Sequence, residues 1–147
     1  MPFKRKLTVL ASTALLTPAA LAGAIAPASA ATGQAAADSC ADYPYAVAGE
    51  FREGWAREST PYNYLVPQEG AYTACLDGPA DANFDLEVLQ WNTAAGGYQL
   101  IAASRNADST ERVTWDSPAN STQYRLRVVA TSGYGTYTVG VRFPGEA

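Results

Sequence analysis

Hydrophobic and polar residues alternate along much of this chain, most regularly across Gly70–Asn92, GAYTACLDGPADANFDLEVLQWN. Tyr72, Ala74 and Leu76 alternate with Thr73, Cys75 and Asp77. A period of two sets one row toward a core and the other toward water, which predicts a half-buried strand. Asp77-Gly78-Pro79 ends it, because Gly accepts unusual dihedrals and Pro lacks a ladder donor. A second alternation follows, with Phe84, Leu86 and Val88 set against Asp85 and Glu87. The stretch therefore reads as strand, turn, strand, in a hairpin-like unit.

The same rhythm continues on both sides. Tyr43, Tyr45, Val47, Phe51 and Trp55 occupy odd positions within Cys40–Thr60, interrupted at Gly49-Glu50 and Gly54, and predict one or two irregular edge strands. Pro61 and Pro67 bracket a short extended piece, and prolines suit a sheet edge. Downstream, Tyr98, Leu100 and Ala102 are expected on one face, and Val113 and Trp115 point inward. Tyr124, Leu126 and Val128 form an inward row with Arg125 and Arg127 outward, and Tyr137, Val139, Val141 and Phe143 form the last inward row. No helical stripe of useful length follows residue 30, and parallel strands would need crossover helices. The pattern predicts an all-β protein, an antiparallel, jelly-roll-like β-sandwich of roughly seven to nine short strands.

The start of the chain is of another kind. Lys4-Arg5-Lys6 precede an uncharged, Ala-rich run from Leu7 to Ala26, and Ala28-Ser29-Ala30 offers the small residues a signal peptidase reads. Residues 1–30 are expected to be a secretory signal peptide rather than a membrane anchor, given Pro18, Pro27 and the many alanines. Residues 31–39 read as a disordered lead-in and residues 40–147 as the sandwich domain. Cleavage removes three of the 10 Lys and Arg and none of the 14 Asp and Glu, leaving a net charge of −7. That argues against nucleic acid and against anionic lipid. A secreted, extracellular monomer that does not insert into membranes is expected. Export also makes the two cysteines, Cys40 and Cys75, an expected disulfide.

The chemistry available is narrow. There is no histidine, which removes Ser-His-Asp and Cys-His systems and the commonest zinc ligand. All lysines fall within the signal peptide, so no Schiff-base lysine remains. Asp85 and Glu87 form an i, i+2 pair that a small carboxylate hydrolase could use geometrically, but so could any such pair, and a solvated strand face is the preferred reading. Asp81, Asn83 and Asp85, with Asp77 nearby, have the spacing of oxygen ligands for calcium, which would make this a calcium-dependent structural or stability domain. The EF-hand pattern fails, with Leu86 in place of Gly and Asn92 in place of Glu. No other cofactor is indicated. The aromatics offer a binding surface: Trp91 on the outward parity of its strand, Tyr134 between glycines at a predicted hairpin tip, and Trp55 and Tyr62 in the irregular N-terminal part. Exposed planar rings stack on sugars or anchor protein partners.

Three segments carry a family resemblance: ACLDGPADANFDLEVLQWN (Ala74–Asn92), SRNADSTERVTW (Ser104–Trp115) and YRLRVVATSGYGTYTVGV (Tyr124–Val141). Together they resemble the bacterial pre-peptidase C-terminal domain, a small β-sandwich appended to secreted bacterial proteases. Asn83 departs from the family, where Asp is common. The resemblance implies a β-sandwich and a secreted, non-catalytic role, here standing alone behind a signal peptide. The expected function is a non-catalytic binding or accessory module for an extracellular protein or polysaccharide.

Overall fold

The computed structural model describes residues 38–146. The expected signal peptide and residues 31–37 of the lead-in lie outside the described residues. A short 3-10 turn, Cys40–Asp42, precedes eight strands: β1 (Tyr45–Phe51), β2 (Glu58–Leu65), β3 (Gly70–Asp77), β4 (Asn83–Asn92), β5 (Gly97–Ser104), β6 (Thr110–Ser117), β7 (Tyr124–Ser132) and β8 (Gly135–Arg142). They form two four-stranded antiparallel sheets, ordered β1-β8-β3-β6 and β2-β7-β4-β5. Every connection except β4–β5 crosses from one sheet to the other, which is the topology of a jelly roll.

The two strands of Gly70–Asn92 are therefore not a hairpin. β3 is interior to one sheet and β4 to the other. Their apolar rows still meet, because each faces inward from its own layer. The residues between them span the roughly 10 Å that separates packed sheets. By the same logic β7 and β8 lie in opposite sheets, so Tyr134 tips a crossing connection rather than a hairpin.

The inward rows are those the alternation predicts. Tyr72, Ala74, Leu76, Phe84, Leu86, Val88, Tyr124, Leu126, Val128, Val139 and Val141 are all fully buried. Burying one large apolar side chain of this kind is worth about 1.5–3 kcal/mol. Aromatic rings close the core at both ends. Phe51, Phe84 and Tyr137 pack together near the β1–β2 connection. Tyr72 stacks on Trp115 with centroids 4.9 Å apart, with Tyr124 and Phe143 beside them, at the other end. The Tyr72 hydroxyl is satisfied by donating to the Val66 carbonyl and accepting from the Gln68 N–H.

One row breaks its predicted parity. In β5, Ala102 pairs with Val88 but Leu100 pairs with Leu89, leaving Ile101 as an extra residue. This bulge flips the alternation. Ala102 packs against the core, whereas Tyr98 and Leu100 share the outer face with Trp91 and Leu89.

The outer face of the β1-β8-β3-β6 sheet is covered by the segment before β1. Cys40 bonds Cys75, with Cα atoms 5.7 Å apart and a sequence separation of 35. Gly140 is the partner of Cys75 across β3 and β8. A Cβ there would sit 2.5 Å from the Cys40 carbonyl oxygen and 2.8 Å from Tyr43 Cβ, so only glycine lets the turn lie this close. Asp77 accepts from the Cys40 N–H at 2.7 Å and pairs with Arg112 at 3.1 Å. Arg112 donates to the Asp38 carbonyl, and Arg142 pairs with the Asp38 carboxylate while covering the Tyr43 ring. Asp38 and Ser39, expected within a disordered lead-in, are thus tied to the sheet.

Candidate functional site

The jelly roll gathers alternate connections at each end. The β1–β2 and β7–β8 connections meet at one end, where they form a groove of about 520 Å³ lined by Arg52, Glu53, Trp55, Arg57, Gly133 and Tyr134 among others. Trp55 is 70% and Tyr134 56% exposed. Two of the four aromatic candidates, nearly eighty residues apart in the chain, therefore line one depression. Trp55 shares the odd parity of the buried Phe51, but β1 ends at Phe51 and Gly54 turns the chain at φ +75°. The Trp55 N–H donates to the Arg52 carbonyl, and the ring leaves the core row for water.

Arginines hold this loop in place. Arg57 donates to the Ala130 and Thr131 carbonyls, and the Ala130 N–H donates back to the Arg57 carbonyl at 2.8 Å. Arg52 pairs with Glu50 at 2.7 Å and lies 5.8 Å from the centre of the Trp55 ring. Neither arginine was singled out from the sequence. The signal available was Gly54 between charged residues and a Trp, a turn that displays a ring.

The other two candidates have different surroundings. Tyr62 is half-buried against the core, and its hydroxyl donates to the Tyr45 carbonyl at 2.8 Å. Burial raises its pKa above the ordinary phenol value. It ties β2 to β1 and is not part of the Trp55 groove. Trp91 lies at the opposite end, edge-on to Tyr98 with centroids 5.3 Å apart. Arg125 covers the Tyr98 ring at 4.0 Å. A second, uncharged groove there is lined by Gln90, Trp91, Asn92, Gln99, Asn120 and Thr122 among others. Much of its polar chemistry is used internally: Gln90 donates to Ser121, Asn92 to Gln99, and the Thr122 hydroxyl to the Trp91 carbonyl.

The four oxygen-bearing residues considered for calcium are not brought to one point. Asp77 serves the N-terminal turn and Arg112. Asp81 is exposed in the β3–β4 connection. Asn83 begins β4 with its amide oxygen buried and unpartnered. Asp85 lies under Arg105. Among the described residues no three acidic, thiol or imidazole side chains converge where a cation could sit.

Asp85 and Glu87 do share a face, but it is not the solvated face that alternation suggests. Glu87 is held by Arg105 at 2.6 Å and by Arg127 at 2.5 Å, and both carboxylates are buried beneath the long arginine stems. Burial works to raise the Glu87 pKa, yet the hydrogen bonds and charges of Arg105 and Arg127 hold it below the ordinary range. Asp85 is raised, chiefly by burial, with Arg105 opposing. Glu111 is fully buried and raised by burial. It accepts from the Ser104 hydroxyl and from the backbone and side chain of Asn106, which fastens the β5–β6 connection. These carboxylates tie strands and connections together, and neither the Trp55–Tyr134 groove nor the Trp91 groove is lined by them.

Fold and site together define an eight-stranded jelly-roll sandwich that displays a pair of exposed rings at one end. Neither a protein-family model nor a curated protein sequence matches this chain. Among solved structures, the Yersinia pseudotuberculosis-derived mitogen YPM superposes with a TM-score of 0.52 at 12% identity, over 70% of this chain and 87% of that one. PirA superposes with a TM-score of 0.46 at 12% identity, over 67% and 94%. At such identity the likeness to YPM is one of fold alone.

Proposed function

We propose that this chain is a secreted, non-catalytic binding module that holds an extracellular protein or polysaccharide at the Trp55–Tyr134 groove. The observation that carries this reading is the convergence of two largely exposed rings from separate connections on a loop fastened by Arg57. Large rings left in water cost solvation that burial against a ligand recovers. A fastened loop has little freedom left to lose on binding. The signal-like start, the cysteine pair and the resemblance to the pre-peptidase C-terminal domain agree with work outside the cell beside another protein.

The test is an equilibrium binding screen of the secreted chain against insoluble polysaccharides and secreted proteases, repeated with Trp55→Ala/Tyr134→Ala. Central aromatic anchors are worth about 2 kcal/mol or more, so the double variant should lose at least about thirtyfold in affinity. Retention on no probe, or equal retention of the double variant, would overturn the proposal.

A further inference from the structure

A jelly roll has four sheet edges, and three here carry a device that blocks pairing with a further strand. β2 contains Pro61, and its register against β7 shifts twice. β5 carries the Ile101 bulge. β6 points the charged Glu111 inward and bears Arg112 and Asp116. Bulges, proline and inward charge are the usual protections of an edge. β1 has no bulge, no proline and no inward charge, and its one charged residue, Glu50, falls at its far end. Its seven residues pair with β8 in unbroken register, and Tyr45–Gly49 holds neither charge nor proline. Among the described residues no strand lies on its other side. Tyr45 and Val47 are 47% and 37% exposed. Among the described residues, the Tyr45 carbonyl at its start is taken, by the Tyr62 hydroxyl. The end of β1 runs directly into the proposed site: Phe51, its last residue, lines the groove together with Trp55.

We propose that β1 is a docking edge for an extended segment of a protein partner, which adds as a fifth strand and delivers a basic side chain to the Trp55–Tyr134 groove. This rests on the binding-module reading and names its partner as a peptide. An open strand edge offers a row of N–H and C=O groups that only another extended backbone matches repeatedly, and side-chain pockets then supply selectivity. The basic side chain follows from charge. The chain from residue 31 onward carries −7, Arg52 and Arg57 are already engaged, and Glu53 has no described partner. Aromatic faces beside a carboxylate favour a cation.

The test selects linear peptides from a phage-displayed random library on the intact secreted chain, then measures hydrogen exchange and affinity for the selected peptides. Selected peptides should contain Lys or Arg, slow exchange of Tyr45–Phe51 amides, and bind at least tenfold more weakly to Val47→Lys. Binding to Ala103→Lys, on the bulged β5 edge, should be unchanged, and unaltered melting of both variants would show that they fold. Peptides that need Trp55 but leave β1 exchange unchanged would overturn the edge proposal while sparing the groove. Slowed β1 exchange on self-association without peptide would overturn it in favour of a second copy. Failure to select any peptide would also overturn it. Retention of a polysaccharide through Trp55 would then keep the binding-module reading alive on its own.

Discussion

Two stretches of this chain lie outside the regular strands and are rich in polar groups and rings, yet they end in opposite states. The segment at residues 38–43 is sealed onto a sheet: a disulfide, the Asp77 carboxylate, and Arg112 and Arg142 hold it there, and Tyr43 is buried. The loop at residues 52–57 is fastened at its base by Arg57, but holds Trp55 out in water beside Tyr134. Arginines fasten both, Arg112 and Arg142 from the sheet in one case and Arg57 from the loop itself in the other, so the fastening does not separate them. The difference is what faces the ring. Gly140 removes a side chain so that Tyr43 can sink onto the sheet. Gly54 turns Trp55 away, with nothing within 4 Å of where its own Cβ would lie. One stretch buries its ring, Tyr43, and the other leaves its ring, Trp55, exposed for contact.

That contrast can be broken from either side. The largest effect is expected from Cys40→Ser/Cys75→Ser. Loss of a cross-link spanning 35 residues should cost about 3–4 kcal/mol, read as a lower denaturant midpoint. Exchange of residues 38–43 should rise and that of 52–57 should not; equal loosening of both would show that the two stretches are one unit. Next, Gly140→Ala forces a methyl against the Cys40 carbonyl and should cost about 1–3 kcal/mol, again with its effect centred on the sealed segment.

A smaller effect is expected from pH, through the buried carboxylates of β4 and β6. Glu111 and Asp85 have folded pKa values raised above their unfolded ones. Their protonation therefore favours the folded state, and stability they contribute in acid is lost as pH rises through the raised values. Glu87 has a lowered folded value. Its contribution is complete above the unfolded carboxylate value and is lost as pH falls through the lowered one. Melting temperature should therefore rise slightly from neutral pH toward the ordinary carboxylate range and fall below it. Asp85→Asn should flatten the rise and leave the fall. A monotonic decline from pH 7, identical in the variant, would contradict this assignment.

Smallest of all is the expected stability change of Trp55→Ala, within about 0.5 kcal/mol, because an exposed ring on a turn fastened elsewhere supports little of the fold. A loss above 1 kcal/mol would mean the ring is structural and would remove the contrast with Tyr43.

Much of the architecture was legible beforehand because a period of two is a local property. Tyr72, Phe84, Tyr124 and Val139 are inward for the same reason in sequence and in space. Alternation cannot say which layer a strand joins, so Gly70–Asn92 read as a hairpin although its halves lie in opposite sheets. Nor does it register an extra residue, so Ile101 displaced Leu100 from the predicted face. The candidate site was legible only residue by residue. Trp55, Tyr62, Trp91 and Tyr134 all stood out as rings near breaks in the pattern, and nothing local distinguished the half-buried Tyr62 from the exposed Trp55.

The amino-acid sequence by itself determined the all-β class, the inward rows and the cysteine pair, since each depends on neighbours within a few residues or on a count of two. Tertiary structure alone decided that Trp55 and Tyr134 share a groove, that arginines bury Asp85 and Glu87, and that β1 is the unguarded edge. Those outcomes depend on which distant segments the crossing connections bring side by side, and no local periodicity encodes that distance.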